Sequence, residues 1–126
     1  GLKMDVLVPG ARPDVISMSN VERVKSALVV EAANIPASRE AEDVLARQGV
    51  LVIPDFVANA GGVIAGSVER RHGTVEESFD DAKRLIRKNV EEVLSLSKGE
   101  GVTPRVAAER IARHRVIAAM RDKGRL

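Results

Sequence analysis

The residues of this chain best suited to hold a ligand follow three short apolar runs. Gly10 and Ala11 come after Asp5 to Pro9, Ala33 and Asn34 after Ala27 to Glu31, and Asn59, Ala60, Gly61 and Gly62 shortly after Val50 to Ile53. Small side chains let a flat ligand approach the backbone. An asparagine amide both donates and accepts hydrogen bonds, as recognition of a ribose or a carboxamide requires. The turn at Asn59-Ala60-Gly61-Gly62 also opens a helix and directs unpaired N–H groups toward the same place. Taken singly, the same residues are also explained as turn formers, each asparagine capping a turn and each glycine fitting a tight one.

Other chemistries lack their residues. Cysteine is absent, which removes disulfides, thiolate metal sites and cysteine nucleophiles together. His72 and His114, the only histidines, are flanked by arginines and stand in no metal-ligand spacing, so no metal site is expected. No G-x-x-x-x-G-K-[ST] loop or G-x-S-x-G elbow occurs. The one G-x-G, Gly99-Glu100-Gly101, follows a helical pattern and not a strand, so it reads as a turn. Phe56 and Phe79 are the only aromatic residues, which leaves an aliphatic core and no aromatic platform for stacking bases.

The 126 residues suit one ordinary domain, and 44% hydrophobic with 30% charged residues is a globular balance. No apolar run reaches the roughly 18 residues of a membrane helix. No secretory leader is recognisable, and a reducing, cytoplasmic setting is the expectation. The formal net charge of +2 is unevenly spread: the stretch from Arg105 onward carries +5 and the rest −3. Such a basic terminal helix is either a solvated face or a surface for an acidic partner or nucleic acid.

The three runs are nearly continuous and do not alternate, the pattern of strands covered on both faces of a parallel sheet. Between the second and third lies a helix from Ser38 to Gln48, capped by Ser38 and stopped by Gly49, which makes a βαβ unit. A short helix is expected near Asn20 to Lys25. A helix from Asn59 to Arg71 ends at Gly73, and Thr74-Val75-Glu76-Glu77 has capping-box form. Val75, Phe79, Ala82, Ile86, Val90 and Val93 keep three- and four-residue spacing along the next helix, which Gly99 and Gly101 break. Thr103-Pro104 restarts a last helix, with Ala108, Ile111, Ala112, Ile117, Ala118 and Met120 on its apolar side until Gly124.

Three segments, DVLVPGA at Asp5 to Ala11, LVVEAANIPAS at Leu28 to Ser38 and GVLVIPDFVANAGGVI at Gly49 to Ile64, resemble the second half of the cofactor domain of the glutamate/leucine/phenylalanine/valine dehydrogenases. They occur in the family's order and spacing, and the third is the most specific. The stretch from Thr74 onward, with ERIARHRVIAAM, is similar to the family's terminal helices. The resemblance implies an α/β fold with a partial Rossmann-type, three-stranded parallel sheet, flanking helices and a helical C-terminal tail. Residues 1–73 would be the second half of a dinucleotide-binding domain and 74–126 a helical segment packed on it, as one compact unit.

It further implies a nicotinamide cofactor, NAD or NADP, and oxidative deamination of an amino acid to a 2-oxo acid. Carried over by motif, Ala11, Asn34 and Asn59 would lie near the nicotinamide ribose and carboxamide, with Ala33, Gly61 and Gly62 as surrounding backbone. The family's catalytic lysine, its proton-relaying aspartate and its G-x-G-x-x-G turn have no counterpart in this sequence. No catalytic residue is therefore assigned, and the chain is expected to be inactive alone. Glutamate-specific members place a substrate-contacting serine where this sequence has Gly66, with Ser67 beside it, so the amino acid is left open. The expected partners are the amino-acid substrate of the complete enzyme and either identical copies or an N-terminal part, with no membrane and no nucleic acid. The alternative is a non-enzymatic binding or regulatory module that uses the basic helix from Pro104 to Leu126. Val6, Leu7 and Val8 are expected in or beside an intermolecular contact.

Overall fold

The computed structural model describes residues 3–124. Three short parallel strands, β1 (Val6–Leu7), β2 (Leu28–Val30) and β3 (Leu51–Ile53), lie side by side in chain order. Leu7 pairs with Val29, which pairs in turn with Val52. Around them stand five helices: α1 (Arg39–Arg47), α2 (Asp55–Ala58), α3 (Gly61–Arg70), α4 (Val75–Glu100) and α5 (Pro104–Asp122). The α/β parallel-sheet architecture expected from the sequence is the one adopted.

Both faces of the sheet are covered. Val29 and Val52 pack on one side with Ile16, Val21, Ala41 and Leu45. Leu28, Val30 and Ile53 pack on the other with Val57, Val93, Ala107 and Ala108. Successive strand residues point to opposite faces, and both faces need apolar residues, so the runs are continuous and not alternating. The helix starts follow their sequence signals. Ser38 caps α1 by accepting from the Ala41 amide, and Thr103 caps α5 ahead of Pro104. Thr74 and Glu77 form a reciprocal capping box on α4, with Thr74 N donating to Glu77 Oε2 at 2.7 Å.

The structure corrects several local expectations. β1 is an edge strand of two residues that pairs only with β2 among the described residues, and Val6 and Val8 are 49% and 56% exposed. The helix expected near Asn20 is a single 3-10 turn, Val21–Arg23, whose Val21 is fully buried. The helix expected from Asn59 to Arg71 is α3, which starts at Gly61, and an additional short helix that was not expected, α2, precedes it from Asp55, directly after Pro54. Gly99 does not break α4, which runs through it to Gly101, where a φ of +65° ends it. Val75 and Phe79, expected on a buried stripe, are 68% and 73% exposed, since the first turns of α4 lie against α3 and away from the sheet.

Gly73 joins α3 to α4 where no larger residue fits. A Cβ there would meet Val68 Cγ1 at 2.5 Å, Glu77 Oε2 at 2.6 Å and the Val68 carbonyl oxygen at 3.2 Å. At Gly99, within exposed helix, a Cβ meets nothing within 4 Å. Opposite signs follow. Gly73→Ala lowers the unfolding free energy by about 1–3 kcal/mol through overpacking, whereas Gly99→Ala raises it by roughly 0.5–1 kcal/mol. Urea denaturation of both variants checks the pair.

Candidate amide site and the ion cluster behind it

The segments that follow the three strands meet at one edge of the sheet. The Ala33 amide donates to the Pro9 carbonyl at 2.9 Å, tying the turn after β2 to the segment after β1. Gly10 lies close to Ala32, where an added Cβ would meet the Ala32 Cβ at 3.7 Å. Asn59, at the end of α2, donates from Nδ2 to Asn34 Oδ1 at 2.7 Å and more weakly to the Ala32 carbonyl at 3.4 Å. Asn59 therefore caps nothing with its side chain; it reaches across to the neighbouring turn. Ala11 is exposed beside Gly10, and Gly61 and Gly62 form the first turn of α3, which has no side-chain cap. Gly66 and Ser67 lie in the same helix, roughly 8 Å further along its axis. The structure brings Ala33, Asn34 and Asn59 together and leaves Gly66 and Ser67 apart from them.

The amide pair leaves groups to offer. Among the hydrogen bonds of the described residues, Asn34 Nδ2 and Asn59 Oδ1 have no protein partner. One free donor and one free acceptor are the kinds of group that the acceptor and donor of a primary carboxamide, such as that of nicotinamide, require. These residues fit that end of the cofactor.

Behind this edge lies a cluster that sequence inspection missed. The Arg105 guanidinium, from the first turn of α5, binds three carboxylates: Glu31 Oε2 at 2.9 Å, Glu42 Oε2 at 2.6 Å and Asp55 Oδ1 at 3.1 Å. The carboxylates come from the end of β2, from α1 and from the first residue of α2, and all three residues are buried. The Asp55 amide donates to Glu31 Oε2 at 2.9 Å, and the Phe56 ring lies 5.5 Å from the guanidinium carbon. Asp55 Oδ2 reaches outward and accepts from the Ile35 amide at 2.9 Å.

Three carboxylates facing one cation leave an excess of negative charge. Glu31 Oε1 and Glu42 Oε1 are buried without a hydrogen-bond partner. Burial, then the charge of Glu42, raises the Glu31 carboxyl from 4.5 to about 7. Burial acts in the same sense on Asp55, but donation from the Ile35 and Phe56 amides and from Arg105 outweighs it and holds that carboxyl below its usual range. On Arg105, burial favours the neutral form, and the bonds to Glu42 and the other carboxylates more than reverse it.

A local signal existed for Glu31 alone. It continues the alternation of β2 on the Val29 side, so its carboxylate points into the protein. Nothing local pairs it with Arg105, 74 residues away. Counted in the sequence as part of a basic tail, Arg105 belongs to the interior. Arg110 and Arg115 of the same helix pair with Glu100 and Glu92, which further thins the expected basic face.

The sequence profile of the Glutamate/Leucine/Phenylalanine/Valine dehydrogenases matches residues 1–124. The chain belongs to that family. It is 38% identical to a glutamate dehydrogenase of Aeropyrum pernix over 98% of this chain and 32% of that protein. An NADP-specific glutamate dehydrogenase of Saccharolobus shibatae is 33% identical over 97% of this chain and 31% of its own length. The crystal structure of L-tryptophan dehydrogenase from Nostoc punctiforme superposes with a TM-score of 0.85 at 26% identity, covering 96% of this chain and 37% of that one. The chain thus spans about a third of the length of the curated relatives it matches.

The cluster sets a pH dependence. Because the folded state raises the Glu31 carboxyl above 4.5, it holds that proton more tightly than the unfolded chain does. The stability this supplies is full below about pH 4.5 and is lost as pH rises to about 7. Asp55, shifted the other way, adds stability that is lost in acid. Between about pH 5.5 and 8 the unfolding free energy should fall by about 2 kcal/mol, and Glu31→Gln should flatten the fall. Urea titrations at the two pH values measure it.

Proposed function

We propose that this chain supplies the nicotinamide-binding half of the cofactor site of an NAD(P)-dependent amino-acid dehydrogenase, which converts an amino acid to its 2-oxo acid. In this reading residues 1–73 are the second half of the dinucleotide-binding domain, and 74–126 are a helical segment packed on it. The observation that carries the reading is the Asn34–Asn59 amide pair at the strand ends, in a chain that belongs to a dehydrogenase family. Ligands of open α/β sheets bind at that edge.

When bound, the dinucleotide supplies the hydride chemistry. The chain's own residues hold and orient. Asn34 and Asn59 would hold the dinucleotide's carboxamide through the amide donor and acceptor they leave free, and the small residues Ala11, Ala33, Gly61 and Gly62 would leave room for the ring and ribose. Fixing the ring in this way is the entropic part of catalysis, since a hydride donor and acceptor must meet in one orientation. Gly66 and Ser67, further along α3, are the positions from which the side chain of the amino acid would be contacted. The relatives are named for both glutamate and tryptophan, which leaves the substrate as an L-amino acid of unassigned side chain.

The described residues hold no glycine-rich turn after a strand to receive a pyrophosphate, so the chain alone should be inactive and should bind NAD or NADP weakly. Calorimetric titration with each dinucleotide tests this, and micromolar affinity would contradict it. With the remaining parts of the enzyme supplied, Asn59→Ala should lower kcat/KM by about tenfold to a hundredfold, the loss of one or two oriented hydrogen bonds, with the fold intact. An unchanged rate would reduce Asn59 to a structural residue.

The same reading bears on association. Val6 and Val8 at the sheet edge, Val63 on α3 and Phe79 on α4 are large exposed apolar residues. An apolar edge strand invites pairing. The chain should therefore associate, with itself or with an N-terminal part. Sedimentation at micromolar concentration that shows only monomer, with the Val6 and Val8 amides protected from exchange, would contradict this. No helix of the described residues is long and apolar enough to cross a membrane.

A further inference from the structure

The turn that carries Asn34 is strained. Ile35, the next residue, has a φ of +49°, a left-handed backbone that a β-branched side chain rarely adopts. Its side chain does not repay this by burial, because it is 61% exposed. What holds the residue is its backbone: its amide donates to Asp55 Oδ2 at 2.9 Å, and its carbonyl accepts from the Asp14 amide at 3.0 Å. Asp55 in turn uses its other oxygen for Arg105. Strain kept by a specific polar contact, one residue from a candidate ligand-binding amide, marks a position whose geometry matters.

We propose that Arg105 and Asp55 are positioning residues for the Asn34–Asn59 pair: the guanidinium fixes the Asp55 carboxylate, the carboxylate fixes the Ile35 amide, and the turn so held presents Asn34 to Asn59. The proposal rests on the reading of that pair as the carboxamide contact. Its physical core is that Asp55 is fully used. Oδ1 faces a cation and Oδ2 faces an N–H group, so both oxygens act as acceptors, and no neutral side chain of the same shape has two. Asparagine has one. With its oxygen turned to Arg105, the charge-assisted bond, its NH2 would face the Ile35 N–H, donor against donor. Asp55 also starts α2, the helix that ends at Asn59, so one carboxylate touches the origins of both halves of the amide pair. Arg105 is anchored independently by Glu31 and Glu42, which makes it a fixed post for Asp55.

Asp55→Asn tests this in the whole 15N-labelled chain without ligand. Ile35 amide exchange should quicken about tenfold, the scale of one lost hydrogen bond. The Asn59 side-chain NH2 signals should move toward those of a free amide, while the core amides of Val29 and Leu45 keep their protection. Arg105→Lys should leave the Asn59 signals closer to wild type than Arg105→Met does, since it keeps the cation; should Arg105→Met not fold, Asp55→Asn decides alone. Ile35 exchange and Asn59 signals that stay as in wild type in Asp55→Asn would overturn the proposal. Titration with NAD and with NADP, each carried to millimolar concentration because weak binding is expected, separates it from the functional reading: a chain that shows the coupling but whose Asn59 signals neither dinucleotide moves contradicts the ligand and not the coupling.

Discussion

The buried charge of this molecule turns on one guanidinium. Among the described residues, Arg105 is the only cation that meets the three buried carboxylates, and each carboxylate belongs to a different element. It therefore joins the last helix to the end of β2, to α1 and to α2 at a single point. Charge buried in this way costs several kcal/mol per ion in desolvation, which only oriented hydrogen bonds can offset. The planar fork of arginine offers that orientation, and a lysine ammonium does not. The offset is incomplete, since two carboxylate oxygens have no donor, and the raised Glu31 carboxyl is the consequence.

The cluster sits between the hydrophobic scaffold and the candidate ligand edge. On the scaffold side are two aliphatic cores, one on each face of the sheet, which share β2 between them. On the ligand side the backbone is irregular, with Ile35 in a left-handed conformation and Asn59 at a break between two helices. Irregular backbone cannot satisfy its own polar groups as a helix does, so it draws on side chains from elsewhere. Asp55 does so for the Ile35 amide and Asn59, more weakly, for the Ala32 carbonyl, while the Asn59 amide also donates to the Asn34 side chain. The division is a general one: rigid elements carry the stability, and the loops they hold carry the binding groups.

The surface repeats the theme of a scaffold with open sides. The first turns of α4 carry Val75 and Phe79 outward, the edge strand shows Val6 and Val8, and the later turns of α5 project with most residues exposed. An apolar stripe in a sequence states that a face can be buried; it does not state by what. The chain matches about a third of the length of its curated relatives, and the exposed apolar faces are those for which the described residues contain no cover.

The sequence by itself determined what depends on neighbours a few residues apart. The caps at Ser38, Thr74 and Thr103, the stop at Gly101 and the continuous strands with their parallel sheet were legible because propensity, capping and periodicity act locally. The amide pair was legible in part: the motifs placed Asn34 and Asn59 at strand ends, while their mutual contact needed the fold. The start of α2 at Asp55 and the short turn at Val21 were misread because tertiary contacts overrode weak local signals. The tertiary structure alone decided the role of Arg105, which composition assigned to a basic tail. Its partners lie 50 to 74 residues away, and charge pairing at that separation leaves no period, no spacing and no cap in the sequence for a reader to find.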